Sequence, residues 1–583
     1  MKNKVKKEFS CYRYIKNYKL QTFLSPFFKG LETVTELFVP FIMAKIIDIG
    51  IATGDKQYII KNGLFILLLN FLGIFFAIIG QYFAAVVSRG IGKDVRNDIF
   101  EHINELSHAE LDKFSTTTLL NRTVNDVRNI QVGIGAILRT IMRAPVLIIG
   151  SLIMSLFINL KLSLVFIVIV PVLIITIWLL MRKLKPLLLT MKEKLDKTTN
   201  VTRENLTGVR VVRAFNKQNY ETEKFKHANY DLISTQIKHG VLSSALSPVI
   251  SIIVNFAIIA LFYFGGIEVN VGGLSQGKLI AFIDYFGTIS TCIVVMANLI
   301  TIVTRMNASN ERVNDLMKVK NSIKDPANPV KVDFEDENLG LVEFKNVSFS
   351  YSDVKNAVEN LSITAEPGNI IGVIGGTGSG KSSIVNLIPR FYDVSSGELL
   401  INNTNVKKYS VEDLRNIVGL VPQNPTLFHG TIRSNMCWRK PDATDDEIIK
   451  ALKIAQAYDF VKDYPDFLEH KVNRGGTNFS GGQRQRLTIA RALVGKPHII
   501  ILDDASSALD FATDAKLRKA IRTSLAGSTT FIVTQRTNSI RDADKIIVIN
   551  NGSIEDIGTH EELLDRCQVY QEIHYSQNKK ETR

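Results

Sequence analysis

The most specific chemical pattern in the chain is a glycine-rich run that ends in lysine and serine. Residues 375–382 read Gly-Gly-Thr-Gly-Ser-Gly-Lys-Ser, which fits the phosphate-binding loop pattern Gly-x4-Gly-Lys-Ser. The run lies between the apolar stretch 370–374 and the helix-like stretch 383–388. In such a loop, backbone N–H groups converge on phosphate oxygens above a helix N-terminus. We expect Lys381 to reach the β- and γ-phosphates and Ser382 to bind Mg²⁺. A glycine-rich turn without a ligand is the weaker alternative in this context.

A second pattern supports the first one. The apolar run 499–502 ends in the acids Asp503 and Asp504. A buried strand of this kind can deliver one carboxylate beside a magnesium ion, commonly through a water molecule. Such a strand is common and weak support by itself, but it is strong support about 120 residues after a phosphate-binding loop. We therefore predict Asp503 as a second magnesium-site residue.

The elements that carry these residues occupy only the second half of the chain. With 583 residues, the protein is too long for one core, so two or more domains are expected. Before residue 306, however, long apolar stretches recur: residues 62–88, 144–160, 162–181 and 240–267 have no charged side chain, and 279–304 has only Asp284. Each is close to or above the roughly 20 residues that cross a bilayer. Residues 20–44 form a sixth candidate span, which contains Lys29, Glu32 and Glu36.

The basic residues indicate a topology. The formal net charge is +14, and many lysines and arginines lie in segments 89–143 and 182–239. By the positive-inside rule these long segments are cytoplasmic, and six spans then place both termini in the cytoplasm. The charge is therefore better explained by membrane topology than by nucleic-acid binding. The four cysteines are scattered and predict neither a disulfide framework nor a zinc site.

These patterns predict a multidomain protein with an all-α six-helix transmembrane domain followed by an α/β ATPase domain with a phosphate-binding loop. We place the transmembrane domain at residues 1–320, a proline-containing linker at 321–340 and the nucleotide-binding domain at 341–583. Residues 1–19 are predicted as a basic amphipathic lead-in along the inner membrane face. Short β-type runs at 370–375, 498–502, 530–533 and 545–549 support the α/β prediction. No cleavable signal sequence is predicted.

Further motifs give a resemblance to the ATP-binding-cassette (ABC) family over essentially the whole chain. Residues 479–486, Phe-Ser-Gly-Gly-Gln-Arg-Gln-Arg, resemble the signature motif of that family. Gln423, in Val-Pro-Gln-Asn, resembles its glutamine loop, and Tyr351 resembles the aromatic residue that stacks on adenine. The resemblance implies a half-size exporter that binds ATP and Mg²⁺, in which Ser382, Gln423 and Asp503 surround the metal. It implies the following ATP-contacting residues: Tyr351, Gly375, Gly376, Thr377, Gly378, Ser379, Gly380, Lys381, Ser382, Ser383, Gln423, Asp503, Ser480, Gly481, Gly482 and Gln483.

In this family, the signature motif contacts the γ-phosphate held by the opposite subunit. Segments 114–123 and 204–215 resemble the coupling helices that dock on the ATPase domains. An ordinary solvated turn remains the alternative for both segments.

The chain departs from the family at the positions closest to the chemistry. Asp504 stands where the family has a glutamate that polarises the attacking water, and Gln535 stands where it has a histidine. Arg474 replaces an acidic residue that is usual near that position. A carboxylate shorter by one methylene reaches about 1.5 Å less, and general-base catalysis needs contacts of about 2.6–3.2 Å. We therefore predict a degenerate ATP site, with Asp504 and Gln535 as its altered catalytic positions.

The degenerate site implies a second, different ABC half-transporter as partner, whose own ATP site is completed by the signature motif of this chain. A slow homodimer is the alternative. The expected function is ATP-driven export of drug-like or lipid-like amphipathic compounds across a cell membrane. An ATP-gated channel or regulatory subunit is a further alternative. Glu32, Glu36 and Asp284 would attract a cationic amphiphile, or they pair with basic residues of other helices. The sequence leaves both readings open.

Overall fold

The computed structural model describes residues 10–333, 339–351 and 356–578. Residues 1–9 and 334–338, which fall in the predicted lead-in and linker, lie outside the described residues. The chain divides into two compact units. The first comprises residues 1–104 and 116–319, and the second comprises residues 105–115 and 320–583.

The first unit is entirely helical within its described part. A 3₁₀ helix, Cys11–Tyr18, precedes the first α-helix. The helices are α1 (Lys19–Lys45), α2 (Lys56–Glu105), α3 (His108–Leu111, in the second unit), α4 (Thr116–Asn121), α5 (Val127–Thr140), α6 (Arg143–Ile158), α7 (Leu160–Thr207), α8 (Val209–Ala214), α9 (Gln218–Ser244), α10 (Leu246–Asn270) and α11 (Gln276–Met317). Short π-helical segments, Ile46–Ile51 and Arg122–Asp126, follow α1 and precede α5.

Five helical stretches of the described chain are long and apolar enough to cross a membrane, by length and composition. They are Lys56–Glu105, Thr116–Ile158, Leu160–Thr207, Gln218–Asn270 and Gln276–Met317. At 1.5 Å per residue, the 50 residues of α2 extend about 75 Å, well beyond a hydrocarbon core of about 30 Å. The helical transmembrane domain is therefore confirmed. The sixth predicted span corresponds to α1, which is helical but carries charges in its middle.

The helices of the first unit are joined by aromatic packing and by polar contacts. Phe166 of α7 packs on Phe282 and Phe286 of α11, with ring centroids 4.8 and 5.5 Å apart. The Asp48 carboxylate accepts the backbone N–H of Gly277 at 2.7 Å and the hydroxyl of Ser275. A carboxylate at this position stabilises the start of α11, because the N-terminal N–H groups of a helix carry partial positive charge.

The second unit contains two main sheets. Its strands are β1 (Val342–Phe349), β2 (Val358–Ala365), β3 (Ile370–Gly375), β4 (Ser396–Ile401), β5 (Thr404–Asn405), β6 (Val418–Val421), β7 (Gly430–Thr431), β8 (Lys471–Val472), β9 (Ile499–Asp503), β10 (Thr529–Val533), β11 (Lys545–Asn550) and β12 (Ser553–Gly558). One sheet has the order β2-β1-β4-β5 and is antiparallel. The central sheet has the order β12-β11-β3-β10-β9-β6 and is parallel except for β12. Strands β7 and β8 form a small antiparallel pair.

Helices cover the central sheet. They are α12 (Lys381–Leu387), α13 (Val411–Ile417), α14 (Ile432–Met436), α15 (Asp445–Ile454), α16 (Tyr458–Lys462), α17 (Gly481–Leu493), α18 (Phe511–Ser524), α19 (His560–Arg566) and α20 (Gln568–Asn578). The predicted β runs at 370–375, 498–502, 530–533 and 545–549 correspond to β3, β9, β10 and β11. Their β-branched residues are fully buried, as expected for parallel strands covered on both faces. The α/β ATPase fold is confirmed.

A short segment that precedes α4 in sequence clusters with the second unit. The ring of His108 stacks on Phe391 at 4.2 Å, and the Tyr392 hydroxyl donates to Asp112 at 2.6 Å. The Asn321 side chain donates to the carbonyl of Glu105 at 2.6 Å. Burial, together with the positive charge of Arg415, lowers the pKa of His108. Segment 105–115 is thus held by the ATPase unit through aromatic and polar contacts.

Candidate functional site

The candidate site lies at the carboxyl ends of three neighbouring parallel strands. Strand β3 leads into the glycine-rich loop, β9 ends in Asp503, and β10 leads into Thr534 and Gln535. Because β9, β10 and β3 are adjacent in the sheet, their ends meet at one edge. This edge is the usual ligand-binding position in open α/β sheets.

The glycine-rich loop needs glycine at its tightest points. Gly380 has φ +101°, a left-handed conformation, and a Cβ there would overlap the carbonyl oxygen of Ala357. The Lys381 ammonium group lies under the loop and donates to the carbonyl oxygens of Gly375 at 2.9 Å and Gly376 at 2.6 Å. Lys381 is only 8% exposed, and burial lowers its pKa. The loop therefore holds a buried cation directly below its backbone.

The predicted magnesium residues come together beside this loop. The Ser382 hydroxyl donates to the Asp503 carboxylate at 3.0 Å, and Gln423 borders the same cavity. Burial raises the pKa of Asp503, and the hydrogen bond from Ser382 opposes that rise. In the described part of the chain, no group of three or more His, Cys, Asp or Glu side chains is placed to hold a metal. The available donors are instead one hydroxyl, one amide and one carboxylate, which suits an ion that also takes phosphate and water oxygens.

A cavity of about 420 Å³ connects these groups. Its lining residues are Tyr351, Ala357, Thr377, Gly378, Ser379, Gly380, Lys381, Ser382, Ser383, Gln423, Asp503, Asp504, Val533, Thr534 and Gln535. Of the predicted loop residues, Gly375 and Gly376 do not line the cavity, and their carbonyl oxygens accept hydrogen bonds from Lys381. Sequence reasoning missed Ala357, Val533 and Thr534. The last two could have been inferred, because Val533 ends the strand beside the loop and Thr534 follows it, whereas no local pattern marks Ala357.

Tyr351 stands at the mouth of this cavity in an aromatic group. Its hydroxyl lies 3.0 Å from the hydroxyl of Ser383. Its ring contacts Phe349 at 4.7 Å and Tyr392 at 5.1 Å, both edge-to-face. Tyr351 remains 54% exposed, so part of its side chain is accessible to a ligand. Tyr392 is a supporting residue that sequence reasoning missed.

The two altered positions border the same cavity. Asp504 has φ +48°, and its backbone N–H donates to the Val533 carbonyl at 2.9 Å. Left-handed backbone is tolerated by aspartate more readily than by most residues. Gln535 is exposed to the cavity, and its backbone carbonyl accepts a hydrogen bond from Gln577 at 2.6 Å. Both residues are thus anchored through their backbones.

The signature-like residues lie elsewhere on the second unit. The Ser480 hydroxyl accepts the N–H of Gln483 at 3.2 Å, and the Gln483 side chain accepts the N–H of Ser480 at 2.9 Å. This reciprocal cap begins α17, with Gly481 and Gly482 in its first turn. Ser480 and Gly481 are exposed, whereas Phe479 beside them is buried. The predicted residues of this motif, Ser480, Gly481, Gly482 and Gln483, do not border the 420 Å³ cavity of their own chain.

A second cavity, of about 920 Å³, lies within the helical unit. Glu36 and Asp284 border it, together with basic side chains. Glu36 pairs with Arg143 at 3.2 Å, and Glu32 pairs with Lys29 at 2.6 Å. Within the described residues, the Asp284 carboxylate makes no ion pair or hydrogen bond. The two glutamates therefore have basic partners, whereas Asp284 faces the cavity.

The fold and the site together define a membrane protein with a phosphate-loop ATPase domain. The ABC transporter transmembrane region model matches residues 22–293, and the ABC transporter model matches residues 358–507. An ABC transporter ATP-binding protein of Mycobacterium tuberculosis (strain CDC 1551 / Oshkosh) is 36% identical over 553 residues, covering 94% of each chain. An ATP-dependent lipid A-core flippase of Desulfotalea psychrophila is 31% identical over 530 residues, covering 90% of this chain and 92% of the flippase. The chain belongs to the ABC transporter family.

A solved structure of a bacterial Atm1-family ABC exporter with ATP bound has the same fold. Its TM-score is 0.78 at 23% sequence identity, and the match covers 98% of this chain and 100% of the exporter chain. The chain is an ABC exporter half-transporter, and its enzymatic activity is that of an ATPase coupled to transmembrane transport. It is a multi-pass membrane protein, and ABC exporters of this kind work as dimers.

Proposed function

We propose that the 420 Å³ cavity binds ATP with Mg²⁺ and that each predicted residue acts there as its position suggests. Lys381 would exchange its bonds to loop carbonyls for bonds to the β- and γ-phosphates. Ser382, Gln423 and Asp503 would hold Mg²⁺, which neutralises phosphate charge when bound. Tyr351, which is partly exposed, would stack on the adenine ring. The hydrogen bond between Ser382 and Asp503 supports this assignment, because it places two magnesium ligands within reach of one ion.

The same cavity is proposed to hydrolyse ATP slowly. The supporting observation is the hydrogen bond from the Asp504 N–H to the Val533 carbonyl at 2.9 Å. It restrains the main chain, so that a backbone shift toward the nucleotide would have to break this bond to compensate for the short side chain. A misplacement of about 1 Å can lower a rate roughly 100-fold. Gln535 can donate a hydrogen bond to the γ-phosphate, but it cannot supply the positive charge of a protonated histidine. Binding is therefore retained while activation of water is weakened.

We further propose that the physiological dimer contains a different second chain. The exposed cap of α17 presents Ser480, Gly481, Gly482 and Gln483 at the N-terminus of a helix, where backbone N–H groups attract phosphate. Because these residues lie away from their own cavity, they are available to the nucleotide of a partner. A partner with a glutamate and a histidine at the altered positions would then hydrolyse ATP efficiently. Arg474, exposed near this motif, is proposed to contact the partner.

The transported compounds are proposed to be amphipathic, drug-like or lipid-like molecules. The 920 Å³ cavity is at the upper end of the usual size for small-molecule sites, and it combines apolar and charged residues. Because Glu32 and Glu36 already have basic partners, Asp284 is the acidic residue that we propose contacts a cationic group. The positive-inside distribution supports our proposal that both termini lie in the cytoplasm of a cell membrane. We also propose residues 1–320 as the transmembrane domain and residues 341–583 as the nucleotide-binding domain.

The heterodimer is tested by comparing ATP turnover of the purified chain alone with that of the chain bound to its candidate partner. The first candidate to test is any ABC half-transporter that is encoded next to this chain. We expect slow turnover for the chain alone and substrate-stimulated turnover for the pair. Robust hydrolysis by the isolated chain would support the homodimer instead. The Lys381→Ala variant is the control, because it removes the phosphate-binding cation and should abolish ATP binding by this chain's cavity.

A further inference from the structure

Side chains of helix α20 form hydrogen bonds with the segment that carries Gln535. The Gln577 side-chain amide donates to the carbonyl of Gln535 at 2.6 Å. Its oxygen accepts the backbone N–H of Thr537 at 3.1 Å and the Thr537 hydroxyl at 3.3 Å. One turn earlier, His574 Nδ1 lies 3.0 Å from the same hydroxyl. Two side chains on one face of α20 therefore contact residues 535–537, with Gln577 using both ends of its amide.

Residues 534–537 also contact other parts of the ATPase unit. The N–H of Thr534 donates to Val373 of strand β3 at 3.1 Å, so the chain before Gln535 is tied to the sheet. The Arg536 guanidinium lies 3.4 Å from the carbonyl oxygens of both Ser506 and Ser507. Thr537 is fully buried. Gln535 is thus the exposed residue of a restrained turn, with its carbonyl on α20 and its side chain at the cavity.

We propose that Gln577 is a positioning residue for the nucleotide site. It holds the backbone of Gln535 so that the side chain at this position faces the γ-phosphate end of the cavity. The inference rests on the proposed binding of ATP in that cavity. The bond to the carbonyl of residue 535 restrains the peptide plane that follows its Cα, and the bond from the Thr534 N–H to the Val373 carbonyl restrains the chain just before it. Together the two restraints limit where the Cα of residue 535 lies and from where its side chain starts. The end of α20 is then coupled to ATP binding, although Gln577 lies about 40 residues after Gln535 in the sequence.

Two substitutions separate positioning from simple helix docking. Gln577→Ala removes both halves of the contact. Gln577→Glu keeps an acceptor for the N–H of Thr537, but it places a carboxylate oxygen against the carbonyl of Gln535. Both variants are expected to raise the dissociation constant for Mg²⁺-ATP about threefold to tenfold, the usual effect of one lost hydrogen bond. Only Gln577→Ala should also speed hydrogen exchange in the peptide that contains Thr537.

The measurements use the purified full-length chain in lipid nanodiscs, with equilibrium binding of labelled ATP and peptide-resolved hydrogen exchange. Gln571→Ala is the matched control, since Gln571 is a glutamine of the same helix that bonds instead to the carbonyl of Leu564 at 2.7 Å. It should leave ATP affinity unchanged. Unchanged affinity in both Gln577 variants, or an equal loss in Gln571→Ala, would overturn the positioning role. If the wild-type chain binds no ATP, the proposed function fails together with this inference, whereas normal wild-type binding with unaffected variants defeats only the inference.

Discussion

Lengthening one side chain tests the proposed defect of the ATP site most directly. Asp504→Glu adds one methylene and extends the carboxylate by about 1.5 Å from a main chain that is anchored by the bond to Val533. If reach is the defect, hydrolysis at this site should rise between about 10-fold and 100-fold, since a misplacement of about 1 Å costs roughly 100-fold. The gain should stay below that of a fully active site, because Gln535 is unchanged. The double variant Asp504→Glu, Gln535→His should therefore hydrolyse ATP faster than Asp504→Glu alone.

The same substitution has a structural cost that can be measured separately. Position 504 has φ +48°, where glutamate is less well accommodated than aspartate. A left-handed residue costs about 1–2 kcal/mol for an ordinary L-amino acid, so a small decrease in Tm is expected. Asp504→Asn is the control, because it keeps the size and the turn but removes the base.

The assay is single-turnover hydrolysis of ATP by the complex, with the partner's own site inactivated. Asp504→Asn should show no increase over the wild type. If Asp504→Glu binds ATP normally, melts within a few degrees of the wild type and still hydrolyses no faster, then a short carboxylate is not the reason for slow turnover.

Three further predictions concern other parts of the molecule. Ser480→Ala should lower ATP turnover by the pair about 10-fold or more, while the ATP affinity of this chain's own cavity stays unchanged in equilibrium binding; a change in that affinity instead would place Ser480 in its own site. Burial and the nearby His574 lower the pKa of His560 from its ordinary 6.5. The unfolded chain then binds a proton more readily, so the thermal stability of the ATPase unit should be full above about pH 6.5 and should fall on acidification. His560→Gln should flatten this dependence, and an unchanged pH profile would contradict the assignment. Asp284→Asn should reduce stimulation of ATPase activity by cationic amphiphiles several-fold more than stimulation by neutral ones of equal chain length; an equal reduction for both classes would show that the carboxylate does not recognise charge.

Sequence reasoning was most successful where structure depends on local pattern. The run 370–375, with its β-branched residues before a glycine-rich loop, predicted strand β3 and the loop that follows it. Asp503 could be predicted beside that loop because it ends an apolar strand that follows a phosphate-binding loop by about 120 residues. The local apolar runs likewise predicted the helical membrane domain. The strand, the loop and the apolar spans are each marked within a few tens of residues, whereas Asp503 was identified from a second motif that follows the loop.

Contacts between distant segments could not be predicted in the same way. Glu36 and Arg143 are 107 residues apart and meet only because α1 packs near α6. Gln577 carries no motif, so nothing local indicates that it reaches Gln535. Tyr392 supports Tyr351 through side-chain packing, which depends on how the antiparallel sheet lies beside the loop. Such contacts follow from tertiary packing rather than from the propensities of neighbouring residues.

The contact between His108 and Phe391 bears on how the ATPase portion can be studied in isolation. A fragment that begins at Leu341 would omit residues 105–115, and the stacked face of Phe391 and the hydroxyl of Tyr392 would lose their cover. Such a fragment should be prone to self-association through these rings. Tethering the eleven-residue peptide 105–115 to the N-terminus of this fragment through a flexible spacer should reduce its self-association.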